Sequence, residues 1–272
     1  MICLVCVDAL EYDLVEKLNL KNIMQKQWVK LSTPDECCKN VNGELLPYSP
    51  YCWESILTGE KPIESIKIYK NSMLESIRKK IGPNLKFIKG KRKFLEKIGL
   101  KYYRGDEPRP SSRTLNTIFD IFPLPVDFNV PTYSLDYVFN PYRKIGDREL
   151  QTLKMLEFAD EEFELLIKFT LLMTSRKNDF IMVYTRLLDW YGHFRFGTDG
   201  YYYRYKLVDL FLRDLSKKFP GTILVLSDHG MKDGNHTRHA FFSTNKKMDT
   251  PNSILDIYDL LYRYNEDKVK TS

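Results

Sequence analysis

Three short apolar runs, each followed closely by an aspartate, constrain the fold of this chain more than any other feature. The runs are Ile2–Val7, Phe180–Thr185 and Thr222–Leu226. They are rich in β-branched and large apolar residues and do not alternate with polar ones, which is typical of parallel strands covered on both faces. We therefore expect an α/β protein built around a mostly parallel sheet.

Helical patterns separate these runs, as the connections of a parallel sheet require. The segments predicted as helices are Leu10–Lys17, Trp53–Leu57, about Arg148 to Thr174, Tyr203–Lys218 and Ser253–Tyr264. Residues 83–141 break the pattern with several prolines and glycines, so we predict a small cap or insertion there. A chain of 272 residues can bury one full α/β core, and we expect a single domain over residues 1–272.

The composition excludes disordered and membrane-spanning classes. Hydrophobic residues make up 43% and charged residues 29%. No apolar run approaches the roughly 20 residues that a spanning helix needs. The first ten residues lack a basic leader and read as a buried strand rather than a signal peptide. The five cysteines are odd in number and badly spaced for a zinc ribbon, which favours a reducing, cytoplasmic location.

The three aspartates that follow the apolar runs are expected to meet in space. Asp8 directly follows the first run, Asp189 lies four residues past the second, and Asp228 follows the third after a single serine. In an open parallel sheet, ligands bind beyond the carboxyl ends of the strands. The alternative is that each aspartate is an N-cap of the following helix, because aspartate is a favoured capping residue.

The histidines favour the first of these interpretations. Asp189 and His193 stand four residues apart, so one helical turn brings both to one ion, and His229 adjoins Asp228. Aspartate with histidine suits Zn²⁺ or Mn²⁺, whereas a structural zinc site more often uses thiolates. The sequence therefore favours metal catalysis. The chain has four histidines, all between positions 193 and 239: His193, His229, His236 and His239.

Several segments resemble signatures of the alkaline phosphatase superfamily, especially its type I phosphodiesterase and nucleotide pyrophosphatase branch. Residues 189–193 (DWYGH) and 227–231 (SDHGM) resemble its two main metal-binding motifs, and residues 7–18 resemble its first strand with the terminal acid. Residues 49–59 (SPYCWESILTG) resemble its nucleophile segment, and residues 234–237 (GNHT) its last metal-binding loop. The matches occur in the family's order and span nearly the whole chain.

This resemblance implies a three-layer α/β/α sandwich with two divalent metal ions, most often Zn²⁺ with Mn²⁺ as the alternative. It also implies that Ser49 is the nucleophile, forms a phosphoseryl intermediate and contacts the metals. His239 is an alternative to His236, although the Gly-x-His spacing of the family favours His236. The implied ligands are Asp8, Asp228 and His229 for one metal, and Asp189, His193 and His236 for the other.

Ser49 also has an ordinary structural interpretation. Ser49 followed by Pro50 is a natural helix start, Gly59 is a plausible stop, and a helix N-terminus favours phosphate. Without the resemblance, a capping role for Ser49 would be the preferred interpretation.

The resemblance implies a small phosphate ester or nucleotide as substrate. A phosphomonoesterase of the same superfamily and a non-catalytic, metal-retaining domain stay open as alternatives. A sulfatase is disfavoured because the Cys/Ser-x-Pro-x-Arg pattern is absent after Ser49. The basic stretch Lys86–Arg104 and the net charge of +6 leave nucleic acid as a further possible substrate, although such stretches are usually solvated surface.

Overall fold

A six-stranded sheet forms the centre of the protein. The computed structural model describes residues 1–62, 116–134, 142 and 145–271. The strand order is β2-β10-β7-β1-β6-β5. The sheet strands are β1 Ile2–Val7, β2 Gln27–Ser32, β5 Pro125–Phe128, β6 Phe180–Thr185, β7 Thr222–Leu226 and β10 His239–Thr244. Two hairpins lie outside this sheet, formed by β3 Cys38–Val41 with β4 Glu44–Pro47 and by β8 Gly230–Lys232 with β9 Asn235–Thr237.

Helices cover both faces of the sheet. The described α-helices are α1 Tyr12–Lys17, α2 Lys21–Met24, α3 Ser49–Thr58, α4 Arg148–Met173, α5 Leu187–Arg195, α6 Asp199–Lys218 and α7 Asp256–Thr271. Because side chains alternate along β1, Cys3 and Val5 pack with α4, α5 and α6 on one face. Leu4 and Cys6 pack with α3 and α7 on the other. The predicted three-layer α/β/α sandwich is confirmed.

The pairing of β1 with its two neighbours sets the position of the strand ends. Strand β1 is parallel to both β6 and β7, with Val7 opposite Thr185 and Cys6 opposite Leu226. The three strands therefore end at the same level of the sheet. The residues that follow them, including Asp8, leave the sheet at one edge.

The three predicted apolar strands have the bounds that the sequence indicated, but β2, β5 and β10 were not predicted. Strand β2 alternates between exposed residues and residues that are half-buried or buried, and β10 runs antiparallel to β7 just after the loop at 234–237 that the resemblance implies for metal binding. Pro125–Phe128, within the predicted cap at 83–141, pairs with β6 and belongs to the sheet. Residues 83–115 and 135–141 of that cap, and all of Lys86–Arg104, lie outside the described residues.

All five cysteines are buried and none forms a disulfide. Cys3 and Cys6 point to opposite faces of the sheet, as strand alternation predicts.

Among the helices of the described ranges, none has the length and apolar content needed to cross a bilayer.

A buried ion pair joins α4 to the end of β6. Arg186 Nε lies 3.2 Å from Glu162 Oε2, and both side chains are at most 5% exposed. Asn129 also donates to Glu162 Oε1, at 3.1 Å. Burial raises the pKa of Glu162, while the charge of Arg186 opposes this rise. The pair anchors the segment that leads into α5.

Replacing Glu162 by alanine removes the Glu162 carboxylate from the buried Arg186 guanidinium. We expect Glu162→Ala to lower the free energy of unfolding by about 3–5 kcal/mol, because losing one partner of a buried ion pair is costly. Urea denaturation of the two proteins measures this difference. The control is Glu164→Ala on the same helix, which removes an exposed pair with Lys168 and should cost at most about 1 kcal/mol. Equal losses in the two variants would contradict the prediction.

Candidate metal centre

The three aspartates of the sequence motifs meet at the carboxyl edge of the sheet. Asp8 follows β1 directly, Asp228 follows β7 after Ser227, and Asp189 lies in the first turn of α5 behind β6. All three are at most 5% exposed. None of them is the N-cap of a described helix, since those positions belong to other residues. The capping interpretation of these aspartates is therefore not supported.

One group of side chains surrounds His229. Its Nε2 atom lies 3.0 Å from Ser49 Oγ, 3.4 Å from Asp8 Oδ1 and 3.4 Å from Asp228 Oδ2. His229, Asp8 and Asp228 are fully buried, and Ser49 is 2% exposed. The structure thus brings together the residues that the resemblance implies for one metal.

A second group surrounds Asp189. Its Oδ1 atom lies 3.3 Å from His193 Nε2 and 3.2 Å from His236 Nε2, and the two Nε2 atoms are 2.9 Å apart. The rings of His229 and His236 are stacked with centroids 3.8 Å apart, so the two groups adjoin. By ligand-atom distances, Asp189 also forms a possible metal-binding group with Asp8 and His229.

Main-chain carbonyl groups orient the three histidines of the cluster. The Nδ1 atom of His229 lies 3.0 Å from the carbonyl oxygen of Gly230, and that of His193 lies 3.1 Å from the oxygen of Gly234. The Nδ1 atom of His236 lies 2.9 Å from the carbonyl oxygen of Pro47. A carbonyl only accepts, so each Nδ1 carries a proton, and in the neutral imidazole each Nε2 has its lone pair free for a metal.

Two glycines explain how the histidine-bearing segments come this close. Asp233 and Gly234 both have positive φ, at 52° and 77°, and form the tight turn between β8 and β9 that carries His236. Gly192 precedes His193 on α5, where a Cβ atom would lie only 2.7 Å from Met231 Cγ of β8. The glycine of the DWYGH segment therefore lets the helix approach the hairpin.

Ser49 is placed for contact with the cluster rather than for capping. It is the first residue of α3, while the N-cap position belongs to Tyr48, and the helix ends at Gly59 in the left-handed conformation. Its hydroxyl faces His229. The expectation that Ser49 is an N-cap is thus wrong by one position, because the chain enters helical geometry already at the serine.

The carboxylates repel one another in this buried cluster. Burial raises the pKa of Asp8 to about 6, with the charge of Asp189 adding to the effect and the hydrogen bond from Tyr184 opposing it. Burial and the charges of Asp8 and Asp189 raise the pKa of Asp228 well above its ordinary value. Burial also acts to raise the pKa of Asp189, but hydrogen bonds from two histidines hold it below its ordinary value.

The three histidines of the cluster also differ in the direction of their pKa shifts. Burial, together with the nearby His236, lowers the pKa of His229 well below its usual range. Burial acts in the same direction on His193 and His236, but the hydrogen bonds and charge of Asp189 outweigh it and raise both pKa values. The neutral His229 is a ready ligand, since metals bind the unprotonated imidazole.

The cluster fits divalent cations. When His193 and His236 are both neutral, their Nε2 lone pairs face each other at 2.9 Å, and a cation beside them relieves the repulsion. Both carboxylate oxygens of Asp228 are buried without a hydrogen-bond donor among the described residues. Imidazole nitrogens with carboxylate oxygens are the donor set that Zn²⁺ and Mn²⁺ accept.

The fourth histidine lies apart from this cluster. His239 is exposed at the start of β10 and belongs to neither metal-competent group. Among the described residues, the structure therefore brings His236 and not His239 into the cluster.

Sequence reasoning missed one residue that touches the cluster. Tyr184 donates its hydroxyl to Asp8 Oδ2 at 2.5 Å, and its ring packs edge-on against Trp53. It sits inside the apolar run of β6, where it resembled a core residue. A tyrosine within a buried parallel strand was the available signal, because a buried hydroxyl usually has a partner.

Comparisons with known proteins agree with this architecture. The model of the family described as type I phosphodiesterase / nucleotide pyrophosphatase matches residues 2–267. Among solved structures, the chain is similar to the alkaline phosphatase from the Antarctic bacterium TAB5, with a TM-score of 0.50 and 10% sequence identity over 97% of each chain. At that identity the likeness shows the fold alone. No curated protein matches the sequence.

The family match defines a class of protein, the hydrolases of phosphoric ester bonds, and the grouped aspartates and histidines fit divalent metal ions. The match covers nearly the whole chain, so the protein belongs to the type I phosphodiesterase/nucleotide pyrophosphatase family. The family implies small phosphate esters or nucleotides as substrates.

The two histidines at 236 and 239 provide a test of the ligand set. We expect His236→Ala to bind one divalent cation fewer than wild type, because its Nε2 atom faces Asp189. His239→Ala is the matched control and should keep wild-type stoichiometry, because its side chain is exposed outside the cluster. Calorimetric titration of metal-free protein with Zn²⁺ measures both. A loss of binding in His239→Ala alone would show that the ligand assignment is wrong.

Proposed function

We propose that the protein is a two-metal phosphodiesterase or nucleotide pyrophosphatase in which Ser49 attacks phosphorus. The observation that carries this proposal is the 3.0 Å contact between Ser49 Oγ and His229 Nε2, inside a cluster of buried carboxylates. A serine hydroxyl serving only the helix would instead cap backbone N–H groups.

We propose that Asp8, Asp228 and His229 hold one cation. The other would be held by Asp189, His193 and His236. When bound, such a pair of cations supplies positive charge that lowers the pKa of an attacking hydroxyl and stabilises both the attacking and the leaving oxygen. The donor set, with three imidazoles, favours Zn²⁺, and Mn²⁺ is the alternative.

In this proposal Ser49 is the nucleophile, and the N-terminus of its helix stabilises the phosphate. The Ser49 Oγ forms a bond to phosphorus as the bond to the leaving-group oxygen breaks, giving a phosphoseryl intermediate. Water then cleaves that ester and restores the hydroxyl. Because Ser49 is the first residue of the ten-residue α3, the positive end of the helix dipole favours the negative charge of the phosphate.

The surroundings of Ser49 support an organic leaving group. Tyr48 and Tyr51 flank the serine with ring centroids 4.9 Å apart, and both are half-buried. Lys39 Nζ of the β3–β4 hairpin lies 3.7 Å from the centroid of the Tyr48 ring. Aromatic rings favour an organic leaving group by packing against it, and the ammonium group of Lys39 favours the negative charge of the ester.

A cytoplasmic location is part of the proposal, supported by the five unpaired cysteines.

The Ser49 variants test the nucleophile. Ser49→Ala should reduce kcat by several orders of magnitude, because the missing hydroxyl acts in every turnover. Ser49→Thr should keep appreciable activity, because threonine also offers a hydroxyl. If Ser49 mattered only for the helix start, alanine would cost about 0.5–2 kcal/mol of stability and spare kcat.

Ser49→Asp separates chemistry from helix stability. Aspartate suits a helix N-terminus but cannot form the phosphoseryl ester, so we expect a folded, inactive protein. Metal titration and thermal unfolding check that this variant folds and binds metal. Wild-type turnover by Ser49→Asp would assign the attack to another group.

The substrate class is tested by comparing four esters. With metal-loaded protein, we expect kcat/KM to be higher for bis-p-nitrophenyl phosphate and a nucleotide p-nitrophenyl ester than for p-nitrophenyl phosphate, because the family is one of diesterases. p-Nitrophenyl sulfate should not be cleaved. A clearly higher kcat/KM for the monoester would make the protein a phosphomonoesterase, and the absence of turnover on all four would favour a metal-retaining binding domain.

A further inference from the structure

Glu11 is a buried carboxylate that the reaction described above does not use. It lies three residues after Asp8 and is 6% exposed. Its Oε1 atom accepts from the backbone N–H of Asp13, at 3.4 Å, as the N-cap of α1. Its Oε2 atom accepts from the Thr237 hydroxyl at 2.9 Å, 226 residues along the chain. The two oxygens therefore have separate partners.

The second partner belongs to the hairpin of the metal centre. Thr237 follows His236 directly, and it stands opposite Gly230 in the β8–β9 pairing. Gly230 in turn follows His229 directly and accepts from its Nδ1 atom. The Glu11–Thr237 contact thus lies where the segments bearing His229 and His236 are held side by side.

Gly230 has no room for a side chain because of this contact. A Cβ atom there would overlap Glu11 Oε2 and Thr237 Oγ1, and would lie 2.8 Å from the carbonyl oxygen of His239. The glycine of the SDHGM segment is accordingly needed for the carboxylate to reach the hairpin. The backbone N–H of Glu11 also donates to the Tyr205 hydroxyl of α6, at 3.1 Å, which holds the main chain of Glu11 in place.

We propose that Glu11 is a positioning residue of the metal centre. Through Thr237 it holds the β8–β9 hairpin against the end of β1, so that His229 and His236 keep the separation that two cations require. It touches neither substrate nor metal, and it acts through the hairpin. This inference rests on the proposed metal site and adds a role for a residue outside the ligand set. Partners that orient metal ligands typically change metal affinity by about 10–100-fold when they are removed.

Thr237→Val is the main test, because valine keeps the size and branching of threonine and leaves the capping contact of Glu11 intact. We expect it to bind Zn²⁺ at least 10-fold more weakly than wild type in calorimetric titration. Thr237→Ser and Glu11→Gln should stay within a few-fold of wild type, because a hydroxyl donor and an oxygen acceptor of the right reach are retained.

Glu11→Asp separates capping from positioning. Aspartate is a favoured N-cap, but its carboxylate is one methylene shorter and should not reach Thr237, so we expect weakened Zn²⁺ binding with little change in Tm. The double variant Glu11→Asp/Thr237→Val should bind no more weakly than either single variant, because residues that act through one contact are not additive.

Two outcomes separate this inference from the proposed function. Equal Zn²⁺ affinity in wild type and folded Thr237→Val would overturn the positioning role alone and leave the metal site standing. A wild-type protein that binds no divalent cation would contradict the proposed function and this inference together. Faster hydrogen exchange of the 230–237 amides in metal-free Thr237→Val is an expected readout that does not depend on metal.

Discussion

The parallel pairing of β1 between β6 and β7 is the constraint on which the rest of the structure depends. Its register sets Val7 opposite Thr185 and Cys6 opposite Leu226. A shift of one residue would exchange the two faces of β1 and turn its apolar residues toward the wrong helices. Because the side chains on each face of β1 are packed against particular helices, this register gives the acid that follows β1 a single place at the sheet edge.

That placement concentrates negative charge where water is excluded. Asp8, Asp189 and Asp228 are buried together, and burial with mutual repulsion raises the pKa of two of them. The packed faces of the sheet must offset this unfavourable arrangement, and a divalent cation relieves it directly. For this reason we expect folding of the core and cation binding at the sheet edge to be coupled, with a bound cation stabilising the folded protein.

The sequence was sufficient to predict the three central strands and the residues that meet at the sheet edge. Unbroken apolar runs identify strands buried on both faces, which is why β1, β6 and β7 were predicted with their bounds. Strand β2 was missed because its alternating exposure carries little apolar signal, and Pro125–Phe128 because it lies in a proline-rich segment. Tyr184 and Glu11 were missed because their partners are distant in sequence, and such contacts exist only once the sheet has formed.

The orientation of the imidazoles by main-chain carbonyls has a consequence for transferring this site to another scaffold. The oxygens that receive the three Nδ1 protons belong to Pro47, Gly230 and Gly234, and none of them is a side-chain atom. The path of the backbone therefore determines how the three imidazole rings are oriented. A designer who grafts the aspartates and histidines onto a new sheet must carry over these turns as well, since the side chains alone would arrive free to rotate.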